Sequence, residues 1–192
     1  SDWDYPEEDV KQLYGIEQFL DGVTGDELKE RLIFGSTCNV DGFHAGYGGP
    51  GSKTVLPSRA SAKLDFRLVP DQDPARILHL LRDHLEQEGF GDIEVLTFNG
   101  GEHPVVGDLN HPFVKTCVRT AEQIYGHQPA VIPMMSGTGP VYQLCGQFGT
   151  PMATAAGVSY AGSRVHAPNE HIRIDDFVVV TKYLVGLLEA LE

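Results

Sequence analysis

Three cysteines, Cys38, Cys117 and Cys145, are all this 192-residue chain contains. Their odd number and uneven spacing fit neither a disulfide framework nor a zinc knuckle. Such sparing use suits a reducing compartment and predicts a cytoplasmic protein. Basic residues are also scarce: 14 Lys and Arg stand against 27 Asp and Glu, a formal net charge of −13. That shortage argues against a nucleic-acid partner, which needs a basic face, and against an anionic membrane surface. No apolar run approaches the ~20 residues of a membrane span. The opening Ser-Asp-Trp-Asp-Tyr-Pro-Glu-Glu-Asp is acidic and is not a signal peptide. There is no internal repeat and no low-complexity tract. What remains, 41% hydrophobic and 21% charged residues, is the composition of a soluble globular protein with room for one ordinary domain or two small ones.

Periodicity divides the chain into elements. Val10, Leu13, Tyr14 and 16–19 recur at helical spacing from Pro6 to Leu20, with Glu7, Glu8 and Asp9 in the first turn, where the dipole favours acids. Thr24 with Glu27 reads as a capping box for a short helix over Asp26 to Leu32. The period then becomes two. Cys38 to Tyr47 is a predicted strand that runs into a glycine loop at 46–51. Alternation over 60–68 places Ala60, Ala62, Leu64, Phe66 and Leu68 on the core face, and Ser61, Lys63, Asp65 and Arg67 on the other. Asp73-Pro74 opens a helix with the stripe Ile77, Leu78, Leu81 and Leu85, closed by Gly89. Asp92 to Phe98 is a predicted strand. One sheet with helices on one face, an α+β unit, follows.

Gly100-Gly101 marks an expected domain boundary. Beyond it, Pro112 opens a helix carrying Phe113, Cys117, Ala121 and Ile124 and ended by Gly126. Strands are predicted at Ala130–Met134 and Met152–Ala156. A helix is predicted from Ser136-Gly-Thr-Gly139 through Phe148. Ile174 to Leu191 reads as a closing helix with Phe177, Val180, Leu184, Leu187 and Leu191 inward. Cys117 and Cys145 read as core residues. Helix–strand alternation of this kind suggests part of a larger α/β sheet.

The run Ser163-Arg-Val-His-Ala-Pro-Asn-Glu170 is the most informative stretch. His166 lies in a polar loop with a Pro168-Asn169 turn and a carboxylate four positions on, the setting of a metal ligand. One histidine cannot hold zinc, which needs three or four protein ligands. On residue type alone, an exposed loop histidine is the competing reading.

This run resembles the last metal-binding motif of the M20 metallopeptidases, the carnosinase and acetylornithine-deacetylase group, which reads roughly Gly-Ala-His-(Ser/Ala)-x-Asn-Glu. The segment Asn39 to Pro74, with G-S-K-T-V-L-P and a strand ending R-L-V-P, is very similar to the dipeptidase branch. The two motifs stand in the family's order and span most of the chain from Thr37 onward. The resemblance implies an α/β protein overall: an α+β lid (dimerisation) domain over 1–103, lacking its first strand and helix, then the C-terminal part of an α/β zinc-peptidase catalytic domain over 104–192. It implies a homodimer through the lid, two zinc ions or other divalent metals in the intact enzyme, and either a small peptide or an N-acyl amino acid as substrate; the non-enzymatic alternative is a dimerisation fragment that binds no metal.

Residue by residue, the resemblance makes His166 a metal ligand and Glu170 an acid that orients the loop or the ligand. It makes Arg67 the group that grips the substrate's free carboxylate, with Thr54, Thr138 and Gly137 contacting substrate. Each has a plainer alternative: a salt bridge to Asp65 or Asp71 for Arg67, a β-branched strand residue for Thr54, a helix cap for Thr138, a helix-start acid for Glu170. A helix after Ser136-Gly-Thr-Gly139 would also offer N–H groups to an anion. His103 stands near a family substrate-contacting histidine, but Gly100 or Gly101 occupies that register. His111 reads as a cap neighbour, and His44 as structural. The family's other ligands are a His-x-Asp pair, a bridging aspartate, a Glu-Glu pair whose first member is the general base, and another acid. These belong to an earlier half that the chain does not match, so no catalytic residue is expected here and the chain alone is expected to be inactive.

Overall fold

The structure, a computed structural model, describes residues 3–98 and 101–192. The chain forms two compact units, residues 11–104 and residues 1–10 with 105–192. The boundary expected at Gly100-Gly101 falls partly on Gly100, which lies outside the described residues.

Helix α1 spans Glu7–Tyr14 and is shorter than its apolar pattern. Gly15 takes φ 66°, its N–H reaches the Gln12 carbonyl, and the Ile16 N–H reaches that of Lys11. This left-handed closure satisfies the last carbonyls and ends the helix before the repeat is used up. Helix α2 spans Gly25–Phe34 with Thr24 as N-cap. The expected capping box is not made. The Thr24 side chain accepts no cap bond, and Glu27 instead pairs with Arg31 at 2.9 Å. Val23 and Leu28 are the buried apolar residues of this unit.

Strands β1 (Thr37–Ala45) and β2 (Ala60–Arg67) pair antiparallel, from Thr37 opposite Arg67 to Ala45 opposite Ala60, with a bulge between Val40 and Gly42. Among the described residues these are the only strands. Both faces stay open: Val40, Phe43 and Leu64 are exposed on one and Ser61, Lys63 and Arg67 on the other, and of the residues expected to face a core only Phe66 and Leu68 are half-buried. Helix α3 (Pro74–Gln87) matches its signals. The Asp73 carboxylate accepts the Arg76 N–H at 2.9 Å, Pro74 fills the first turn, and Gly89 at φ 83° follows the last. Asp73→Ala should therefore cost about 1 kcal/mol of stability, the usual worth of an N-cap, measured by chemical denaturation.

The strands predicted at Asp92–Phe98, Ala130–Met134 and Met152–Ala156 are irregular segments. A strand needs a ladder of partner bonds. Here Gly107 donates one isolated bond to the Pro133 carbonyl (3.0 Å).

In the other unit, α4 (Pro112–Tyr125) and α6 (Ile174–Leu191) pack together. Val114, Cys117, Thr120 and Ala121 of α4 are buried with Val180 and Tyr183 of α6. The Tyr183 hydroxyl donates to the Cys117 carbonyl at 3.4 Å across this seam. His111 caps α4, its Nδ1 accepting the Phe113 N–H at 3.1 Å, and left-handed Gly126 closes it. The face of α6 differs from expectation. Phe177, Leu184 and Leu191 are exposed, and Tyr183, absent from the expected stripe, is fully buried. Cys145 is only half-buried. The helix expected through Phe148 is a four-residue α5 (Val141–Leu144) and a 3-10 turn at Gly146–Phe148. No helix of the described residues is long and apolar enough to cross a membrane.

Candidate functional site

His166 sits on a loop between Ser163 and α6. Three non-glycine residues there, Arg164, His166 and Asn169, have φ of 54°, 62° and 63°. Left-handed backbone costs roughly 1–3 kcal/mol per such residue and persists only where the surroundings over-determine it. The surroundings here do so. Ser163 is 1% exposed and uses each of its groups. Its N–H donates to the Tyr160 carbonyl (2.9 Å), its carbonyl accepts the His171 N–H (3.1 Å), and its Oγ accepts the Tyr160 N–H (2.9 Å). Within the loop the Ala167 N–H reaches the Arg164 carbonyl at 2.9 Å.

Glu170 holds the His166 backbone rather than its ring: Oε2 accepts the His166 N–H at 3.4 Å. Because α6 begins at Ile174 with Arg173 as its N-cap, Glu170 is not a helix-start acid. The His166 side chain itself is exposed. That suits a ligand offered outward, but it is one ligand. Among the described residues no group of three or more His, Cys, Asp or Glu could hold a metal ion. One imidazole fits a metal site as a contributor and cannot complete it.

Arg67 lies at the end of β2, roughly half-exposed, with Nε 2.7 Å from Asp65 Oδ1. The salt bridge considered as its plain alternative is therefore formed. Asp65 Oδ1 is shielded from solvent and has this ion pair without an aligned hydrogen bond. A half-exposed pair of this kind contributes little to stability. Thr54 is exposed in the irregular 46–59 connection between β1 and β2. Gly137 and Thr138 are exposed in the turn before α5. Two expectations for that turn are corrected. The residue at the cap is Pro140, which has no N–H, and the helix behind it is one turn long. Thr138 is thus no N-cap, and the helix-dipole argument for an anion fails there. His103 faces Asp73, with Nδ1 3.8 Å from Oδ2.

The periodicity reading missed Tyr160, His171 and Arg173. The Tyr160 hydroxyl lies 2.8 Å from His171 Nε2, and His171 Nδ1 lies 2.9 Å from the Asn169 carbonyl. A carbonyl only accepts, so Nδ1 carries a proton, and with the proton there Nε2 is placed to accept from the Tyr160 hydroxyl. The Arg173 guanidinium covers the Tyr160 ring at 4.3 Å and is held by Asp176 at 2.6 Å. No local signal marks this set, because its members are brought together by a loop that turns back on itself.

Residues 7–92 match the peptidase dimerisation domain of the M20 peptidases. This segment is an M20 peptidase dimerisation domain. The chain is similar to an M20 family metallo-carboxypeptidase of Sulfolobus solfataricus, 40% identical with a TM-score of 0.85, over 98% of this chain and 43% of that one. It is 28% identical to the Beta-Ala-His dipeptidase of Mus musculus over 130 residues, 65% of this chain and 26% of the relative. It is 22% identical to a Cys-Gly metallodipeptidase of Schizosaccharomyces pombe over 179 residues, 91% of this chain and 37% of the relative. The chain thus spans about a quarter to two fifths of the length of these three relatives. The M20 family implies a divalent metal in the intact protein.

Proposed function

We propose that this chain is the C-terminal portion of a zinc-dependent dipeptidase or related exopeptidase. It would hydrolyse a peptide bond next to a free C-terminal carboxylate. The observation that carries the reading is His166, an exposed imidazole on a loop whose backbone is fixed by Ser163 and Glu170, in a chain similar along its length to metallopeptidases. Residues 1–103 form the lid through which a homodimer assembles, and 104–192 belong to the catalytic domain. Free cysteines among the described residues fit a reducing, cytoplasmic setting.

His166 would contribute one ligand to the metal, with Glu170 keeping its backbone in place. The chemistry a bound zinc would supply is a lowered water pKa and a polarised scissile carbonyl. Arg67 grips the substrate carboxylate, with Thr54, Gly137 and Thr138 as further contacts, so binding energy is spent on position. The general base comes from residues this chain does not match.

The test is elemental analysis of the intact protein, with dipeptides and N-acetyl amino acids assayed before and after chelation. Dipeptide turnover lost with the metal is expected, and preference for N-acetyl amino acids would make the enzyme a deacylase instead. The 192-residue chain alone should show no turnover, and chelator-sensitive hydrolysis by it would overturn the account. Arg67→Ala should raise KM for a dipeptide about 10–100-fold, the worth of one charge-assisted pair at roughly 1.5–3 kcal/mol. Arg67→Lys should not restore it, because an ammonium lacks the planar fork.

A further inference from the structure

We propose that Tyr160 and His171 form a side-chain clamp that positions His166 for the metal. This rests on the reading of His166 given above and adds two residues to it. Loop 164–170 is closed at its base twice. The backbone closure is the His171 N–H on the Ser163 carbonyl (3.1 Å), with the Tyr160 N–H on Ser163 Oγ (2.9 Å) beside it. The side-chain closure is the Tyr160 hydroxyl on His171 Nε2 (2.8 Å). His171 then reaches into the loop through Nδ1–H on the Asn169 carbonyl (2.9 Å), holding the left-handed residue next to Glu170. Glu170 in turn accepts the His166 N–H.

The clamp is tied to a rigid element. Arg173, the N-cap of α6, lies on the Tyr160 ring and is fixed by Asp176 in the first turn. Helix α6 is anchored on α4 by buried Val180 and Tyr183. A continuous path thus runs from that packed helix pair through Asp176, Arg173, Tyr160 and His171 to the loop. Exposed side chains gain little stability from such bonds; what a string of them around one strained histidine does is fix the backbone from which its ring projects. Partners that orient a ligand without touching the metal typically govern its affinity by about 10–100-fold.

The test measures metal affinity by chelator competition in the intact protein, with thermal melting of the metal-free form alongside. Tyr160→Phe, which keeps the ring under Arg173 and removes only the hydroxyl, should weaken metal binding about tenfold. His171→Leu should do the same. His171→Gln, whose amide can still accept from Tyr160, should recover most of the loss, a rescue that bulk loss of packing would not show. Melting of the metal-free variants should stay near wild type. Wild-type metal affinity in Tyr160→Phe and His171→Leu, with binding lost in His166→Ala, overturns the clamp and leaves the metal-ligand reading intact. Unchanged binding in His166→Ala overturns both, and an unchanged fall in melting temperature across all three clamp variants with no loss of affinity marks a merely structural role.

Discussion

Replacing His166 by alanine should remove metal from the intact enzyme and lower kcat/KM by more than the ~10–100-fold that loss of an outer-shell partner costs. On the proposed reading of His166 a direct ligand is lost, and the remaining donors bind the ion more weakly. The variant should fold. His166 is exposed, and surface substitutions of this kind usually move stability within ~0.5 kcal/mol. Metal content by elemental analysis, read beside the melting curve of the metal-free protein, separates ligand loss from unfolding. Full metal occupancy and normal turnover in the variant would make His166 an ordinary loop histidine.

Tyr183→Ala should give the largest loss of stability, about 3–5 kcal/mol, as for other buried aromatics truncated to alanine. Tyr183 is fully buried, and its ring lies 6.1 Å from that of Tyr125. Truncation opens a cavity in the α4–α6 seam and leaves the Cys117 carbonyl without this donor. Chemical denaturation of wild type and variant measures the difference. Tyr183→Phe keeps the ring and should cost only about 1 kcal/mol, the net worth of one hydrogen bond.

The same residue sets an alkaline limit. Burial, with Cys117 nearby, pushes the Tyr183 hydroxyl well above its ordinary pKa of 10.0. The unfolded chain then ionises first. The stability this gives is complete below about pH 10 and is lost as pH climbs beyond it. A melting temperature that falls above pH 10 in wild type and less steeply in Tyr183→Phe is the expected result.

Much of the local structure was legible in the sequence. Asp73-Pro74 and Gly89 bracket α3, and Pro112 and Gly126 bracket α4, because these signals act within one turn of chain. Strands β1 and β2 were legible from the period-two pattern on both sides of a glycine loop, and the structure pairs them. Helix α6 was legible as a helix but not in its facing. Its apolar residues run round the whole cylinder, with Val178, Val185 and Leu188 exposed beside Phe177 and Leu184. Periodicity therefore could not choose the side that α4 covers. The strands predicted at Asp92–Phe98, Ala130–Met134 and Met152–Ala156 carry the right residue types and find no ladder among the described residues.

By itself, then, the sequence determined that α3, α4 and α6 are helical, where α3 and α4 stop, and that His166 and Glu170 stand four apart in a turn-rich loop. Those are properties of neighbouring residues, fixed by backbone sterics and capping. The tertiary structure alone decided that Tyr183 fills the α4–α6 seam. It also decided that Tyr160, Ser163 and His171 close on one another around a left-handed His166. Each depends on which groups a folded chain brings within hydrogen-bond or van der Waals reach, and spacing along the sequence does not encode that.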